Sequence, residues 1–171
     1  GMFYGLARLS AAGIPTIAVL HGLSTAGGAY QPGMSDYVIG VKKNGMAALA
    51  GPALLRAATN EVANNEELGG SEMHATVSGL VEYLGDDDVH AIKITRDLIG
   101  RLAWNKNQDI QVKKEYNEPL YSADEIAGIV PLDYKKPYDV REVVARIVDS
   151  SDFIEFKPRY GFTTLCLQAE I

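Results

Sequence analysis

A chain of 171 residues, 47% hydrophobic and 22% charged, is long enough for an ordinary globular core and has the composition of one. Its net charge of −6, with no basic stripe to offset it, speaks against a nucleic acid or an anionic membrane as partner. The single cysteine, Cys166, excludes a disulfide framework or a cysteine-based zinc site within one chain and fits a reducing cytoplasmic or mitochondrial-matrix setting. No signal peptide or membrane-spanning run is visible, and Gly1 before Met2 reads as the scar of a cleaved tag.

Helical spacing of Phe3, Leu6 and Leu9 predicts a helix over 2–12, stopped by Gly13 with Pro15 beyond. A buried strand over 16–21 follows, then a loop of Gly, Ser, Thr and Ala ending at Gly27-Gly28, and a short helix to about Gly33. Asp36–Val41 and Met46–Ala50 read as short strands around a Lys-Lys-Asn-Gly turn. Gly51-Pro52 opens a helix to about Thr59, with proline at the tolerated first position. Asn64 with Glu67 has the form of a capping box for one turn ended by Gly69-Gly70. Val81–Leu84 is a candidate strand. Asp87 or Asp88 then caps a long helix to Leu102, in which Ile94, Leu98 and Leu102 recur every fourth residue.

From Ala103 to Tyr121 the chain is polar, lacks either periodicity and reads as a linker. Ser122 with Glu125 and Asp139 with Glu142 are two further capping pairs. The second opens an amphipathic helix carrying Val140, Val143, Val144, Ile147 and Val148 on one face. Phe153–Lys157 and Thr163–Ile171 are strand-like, and the last fifty residues read as an unfinished domain.

The chemistry concentrates in Ile14 to Tyr30, IPTIAVLHGLSTAGGAY. Small residues after a strand let a ligand approach the backbone, and a helix opened by Gly27 would place free N–H groups at the positive end of its dipole, where an oxyanion is stabilised. Tight packing is the competing explanation for a Gly-Gly pair. Three other readings stand beside it. Gly22-Leu23-Ser24-Thr25-Ala26 is a near miss to a nucleophile elbow, with His74 or His90 as base and Asp86 as third member. His21, His74, His90 and Asp86 to Asp88 hold metal-ligand types, although their spacing matches no compact site. Dinucleotide binding lacks its glycine pattern.

The segments LARLSAAGIP, STAGGAYQPGMSD, LAGPALLRAAT, EELGGSEMH, VSGL and DDDVHAI, between Leu6 and Ile92, and the block PLYSADEIAGIVPLDYKKPYDVREVVARIVDSSDFIEFKPRYG, from Pro119 to Gly161, resemble the carboxyltransferase (beta) subunit of a biotin-dependent acyl-CoA carboxylase. The resemblance implies an α/β fold, the crotonase-like (ClpP-type) β-β-α superhelix, present in part. Residues 1–104 resemble the end of a first carboxyltransferase domain, 105–121 the interdomain linker and 122–171 the start of a second domain.

The implied reaction moves a carboxyl group from carboxybiotin to an acyl-CoA through an enolate, the biotin being carried on a partner. No metal is implied in this chain. Carried over by position, Gly27 and Gly28 supply backbone N–H groups to the thioester oxygen, with Ala29 beside them and Ser24, Thr25 and Ala26 along the substrate. His74, Tyr30 and Thr59 fall in matching segments and take packing or bracing roles. Asn60 departs from the glycine usual after AAT. The family's second oxyanion loop is not recognisable in these residues, which alone are expected to be inactive. Implied partners are the acyl-CoA, the biotin carboxyl carrier domain, the biotin carboxylase subunit and further copies of the subunit. Leu49 to Thr59 looks closer to the methylcrotonyl-CoA and geranyl-CoA branch than to the propionyl-CoA branch. Two alternatives stay open: a non-catalytic assembly fragment, and an acyl-CoA decarboxylase subunit on the same fold.

Overall fold

The computed structural model describes residues 1–102 and 116–171, and the linker expected from Ala103 lies outside the described residues as far as 115. The described residues form two compact units, one of residues 1–102 with Lys157–Phe162, the other of residues 116–156 with Thr163–Ile171. Among them no helix is long and apolar enough to cross a membrane.

The first unit begins with helix α1 (Met2–Ala11), which ends where Gly13 takes a φ of +70°. Strand β1 (Ile17–Leu20) pairs in parallel with β3 (Tyr37–Val41), which pairs in parallel with β5 (Tyr83–Gly85), in the register Val19↔Ile39↔Tyr83. A second parallel sheet joins β2 (Leu23–Thr25) to β4 (Met46–Ala48), placing Ser24 opposite Ala47. Successive repeats thus contribute a strand to one sheet, a short strand to the other, and a helix: α2 (Tyr30–Gly33) after β2 and α3 (Pro52–Thr59) after β4. This is the expected crotonase-like arrangement. Strand β2 was not expected, since its three residues lie in the supposed loop. Leu23 is 69% exposed there, so the ladder to β4, not burial, holds it extended.

Leu20, Val38, Ala47, Ala75 and Val81 form the core between these layers, and Ala29, Leu80 and Leu84 pack against it. Gly40 is needed for close approach: a Cβ there would stand 2.6 Å from the hydroxyl of fully buried Ser71, which donates to the Gly45 carbonyl at 2.9 Å. Asn64 and Glu67 form the reciprocal capping box of α4 (Asn65–Gly69). Helix α5 (Ser71–Met73) then passes into a π-turn over His74–Ser78, a widening that has no signal in the sequence. Asp87, of the two candidates, caps α6 (Asp88–Arg101), accepting from the His90 N–H at 2.7 Å.

Segment Lys157–Phe162 belongs to this unit. Lys157 Nζ lies 3.4 Å from Glu82 Oε1, Arg159 3.5 Å from Glu72, and the Tyr160 ring lies over Gly79.

In the second unit, Ser122 opens a 3-10 turn (Ala123–Glu125) and accepts from Asp124 N–H, while the Glu125 carboxylate turns away to Arg146 at 2.7 Å. The expected capping box therefore does not close. It is followed by α7 (Ile126–Ile129) and α8 (Val140–Val144). Helix α8 is shorter than the apolar face to Val148 predicts. After Val144 the chain tightens, Ser150 and Ser151 take positive φ, and the Asp149 N–H bonds Glu170 O instead of continuing a helix. Strands β6 (Phe153–Phe156) and β7 (Cys166–Ala169) pair antiparallel, and Arg141 braces the hairpin through Glu155 at 2.5 and 2.7 Å.

Candidate functional site

Strand β1 carries the chain to His21, whose Nδ1 is held 2.7 Å from Asp88 Oδ1 at the start of α6. Beyond Gly22, β2 delivers Ser24 and Thr25 to the glycine segment. Ala26–Ala29 form a 3-10 turn that runs directly into α2, so 26–33 is one helical stretch begun at Thr25. Its opening N–H groups precede any carbonyl that the stretch can offer them. Ala26 departs from helical geometry with a φ of +51°, a left-handed conformation that costs an alanine about 1–2 kcal/mol. A left-handed residue followed by a helical one turns successive N–H groups toward one point and makes an anion-binding concavity. Composition gave no sign of this strain, because alanine is the wrong residue by which to find a left-handed position.

Gly27 is exposed, with nothing within 4 Å of a notional Cβ, while Gly28 faces the Ser24 hydroxyl, 3.1 Å from its notional Cβ. The structure thus brings Ser24 and Gly28 together and leaves Thr25 and Ala26 at the exposed rim.

The rival bases are committed elsewhere. His74 Nε2 lies 2.7 Å from the Ala47 carbonyl and Nδ1 2.6 Å from Ser78 Oγ, a geometry satisfied when Nε2–H donates and Nδ1 accepts. His90 Nδ1 lies 3.2 Å from Asp86 Oδ2. The histidine–serine contact of the nucleophile reading is therefore not assembled by either. The three histidines face three different partners, and among the described residues no group of three His, Cys, Asp or Glu side chains gathers as a metal site.

His74 braces strand β4 as expected for a packing role. Thr59 hydrogen-bonds the Leu55 carbonyl at 3.0 Å, and Tyr30 rests on Phe3 at 5.2 Å between ring centroids. Asn60 caps α3 with a φ of 65°, a conformation that asparagine accepts nearly as well as glycine, so the departure at this position preserves the turn.

In the first unit Glu82, Tyr83 and Asp86 are shifted, the Tyr83 phenol being pushed up to about 12 chiefly by burial. Burial raises the pKa of Glu82 above the usual carboxylate value, against the Val38 N–H and Lys157, which lower it. Lys42 holds Asp86 below the usual value, first by a hydrogen bond and then by its charge, with His90 adding to both effects.

Two cavities flank the segment. One of about 730 Å³ is lined by β1 residues, Met2, Leu6, His21, Ser24 and Gln31. The other, about 490 Å³, opens beside Ala29 under Leu49, Leu55, Leu68 and Leu80. These leucines come from four separate segments, and no spacing in the sequence links them.

All of residues 1–171 match the family model described as the carboxyl transferase domain. The chain is 54% identical over 160 residues to a probable biotin-dependent acyl-coenzyme A carboxylase beta2 subunit of Mycobacterium tuberculosis, covering 94% of this chain and 30% of that protein. It is 48% identical to the mitochondrial methylcrotonoyl-CoA carboxylase beta chain of Dictyostelium discoideum, covering 96% of this chain and 28% of the relative. The transcarboxylase 12S crystal structure, described as a hexamer assembly, superposes with a TM-score of 0.86 at 32% identity over 99% of this chain and 32% of its own. The chain thus spans about 30% of the length of the curated relatives it matches. With a family match over its whole length and the β-β-α repeats of the fold, this chain belongs to the carboxyl transferase domain family.

Proposed function

We propose that this chain is part of the carboxyltransferase component of a biotin-dependent acyl-CoA carboxylase, and that it holds the thioester oxygen of the acyl-CoA. The observation that carries this is the left-handed Ala26 immediately before Gly27-Gly28 at the start of one helical stretch. Gly27 and Gly28 present backbone N–H groups to the oxygen as it gains enolate charge, and Ala29 anchors them by packing on the core. Ser24, Thr25 and Ala26 run along the substrate. The donors are fixed before the substrate arrives, so little reorganisation accompanies the reaction, and losing one donor of this kind costs about 2.7–4 kcal/mol. The carrier's carboxybiotin supplies the carboxyl group and the base. This explains why Ser24, His74 and His90 are not wired as an acid–base pair.

On this reading residues 1–104 close a first domain, 105–121 link it and 122–171 begin a second. The partners are a biotin carrier domain, a biotin carboxylase subunit and further copies of the subunit, in the cytoplasm or a mitochondrial matrix. The substrate is a branched unsaturated acyl-CoA in preference to propionyl-CoA. The test is made in the full-length protein with its carrier: Gly28→Val abolishes carboxyl transfer, whereas Ser24→Ala retains most of it. Circular dichroism and melting curves matched to wild type exclude unfolding. The reverse pattern returns the nucleophile reading.

A further inference from the structure

Three consecutive aspartates lead into α6, and the structure gives each a separate task. Asp86 pairs with Lys42 and His90, Asp87 caps the helix, and Asp88 meets His21 Nδ1 at 2.7 Å. A carboxylate offers only acceptors, so Nδ1 carries the proton of this bond. Asp88 is a fixed post. It is the first residue of a 14-residue helix whose Ala91 and Leu98 are fully buried, and a Cβ on Gly85 of β5 would stand 2.8 Å from the Ala91 nitrogen. His21 sits where the chain most needs such a post. The chain leaves the three-stranded sheet at Leu20 and enters the two-stranded sheet at Leu23, so His21 and Gly22 alone make the corner. Gly22 is tied to the second sheet, its carbonyl accepting from the Met46 N–H at 3.1 Å. The His21 side chain ties the same corner to α6, which packs against the first sheet.

We infer that the His21–Asp88 pair positions the glycine segment: it fixes the corner from which β2 sets out, and with it the aim of the Gly27 and Gly28 N–H groups. The inference rests on the oxyanion reading of those two glycines. A three-residue strand spans about 10 Å, so a tilt of about 6° at the corner moves its far end by about 1 Å. A misplacement of about 1 Å can cost on the order of 10²-fold in rate. In this role His21 moves no proton and touches no substrate. The two side chains are 44% and 60% exposed, and a pair so exposed adds little to global stability. Its effect is on where the corner lies. One bond shifts that balance only by its own strength, which limits the loss on breaking it to the order of tenfold.

The experiment uses the full-length enzyme and its carrier. His21→Ala and Asp88→Ala should each lower kcat on the order of tenfold and leave KM within about twofold, because the loss is felt where enolate charge develops. The double variant should lose no more than either single change. His21→Asn, whose amide nitrogen takes the place of Nδ1, and Asp88→Asn, which keeps an acceptor, should recover most of the rate. His90→Ala breaks the neighbouring pair at the same end of α6 and should leave kcat unchanged. Hydrogen exchange of the peptide 21–29 gives a readout apart from turnover. It should quicken in His21→Ala and return to the wild-type rate in His21→Asn. Unchanged kcat and exchange in His21→Ala, an equal loss in His90→Ala, or a fall in kcat that His21→Asn does not recover would overturn the inference. Gly28→Val tells the two failures apart. If it abolishes turnover while His21→Ala keeps wild-type kcat, the positioning role alone falls. If Gly28→Val remains active, the oxyanion reading falls and takes the positioning role with it.

Discussion

The Ser24 hydroxyl lies 3.1 Å from the point where a Cβ would stand on Gly28. This contact is tighter than nine in ten real Cβ contacts, so a methyl group at Gly28 requires the hydroxyl to give by a few tenths of an ångström. Gly28→Ala alone should therefore be destabilising, and Ser24→Ala should relieve part of that loss when the two are combined. Urea unfolding of the four proteins in the double-mutant cycle measures the coupling, expected at about 0.5–1 kcal/mol in the relieving direction. Strict additivity would show that the two side chains do not meet.

Glu82 is buried beside β3, where it accepts from the Val38 N–H at 2.6 Å, and its pKa is raised chiefly by desolvation. A carboxyl group with a raised folded pKa favours the fold most below its unfolded pKa, and that contribution is lost as pH rises through the folded value. Glu82→Gln keeps an oxygen for the Val38 N–H and removes the titration. Relative to the glutamine variant, wild type should therefore lose stability as pH rises from the acid side, with the difference levelling above the raised pKa. Unfolding free energies measured across this pH series check the sign, and a wild type that gains stability relative to Glu82→Gln as pH rises would refute it.

His74 holds the Ala47 carbonyl on the strand that faces Ser24. His74→Ala leaves that carbonyl without this donor and should cost about 1–3 kcal/mol of stability. His74→Gln retains a donor and should recover part of the loss. Because the proposed reaction takes no proton from this imidazole, the glutamine variant should also keep the wild-type pH profile of turnover in the full-length enzyme. A profile that loses one limb would make His74 an acid or base.

Gly69 and Gly27 separate packing from chemistry. A Cβ on Gly69 would run into the Ala47 carbonyl, whereas one on Gly27 meets nothing within 4 Å. Gly69→Ala should be strongly destabilising, by more than about 2 kcal/mol, as rigid backbone cannot step aside. Gly27→Ala should melt at or slightly above the wild-type temperature, since alanine favours a helical turn over glycine. Thermal melts of the two variants decide the matter, and similar losses in both would refute the assigned environments.

What the sequence determined is mostly local. The Asn64–Glu67 box, the cap at Asp87 (one of two candidates), Pro52 at the first turn of α3 and the apolar runs of β1 and β3 depend on neighbours a few residues away, and each formed in its expected place, β1 less buried than read. The ordered family motifs pointed to the glycine segment for the same reason, being contiguous. Tertiary structure decided the rest. Strand β2 exists because Ala47 lies opposite Ser24, and α8 stops at Val144 where Asp149 turns to bond Glu170. The charge on Glu82 is answered by Val38 and Lys157, 44 residues before it and well after it in the chain, and four leucines from separate segments enclose the cavity beside Ala29. Periodicity reports which face of an element is apolar. It carries no information on which distant backbone carbonyl or carboxylate that face will meet, because those contacts are set only when the layers close.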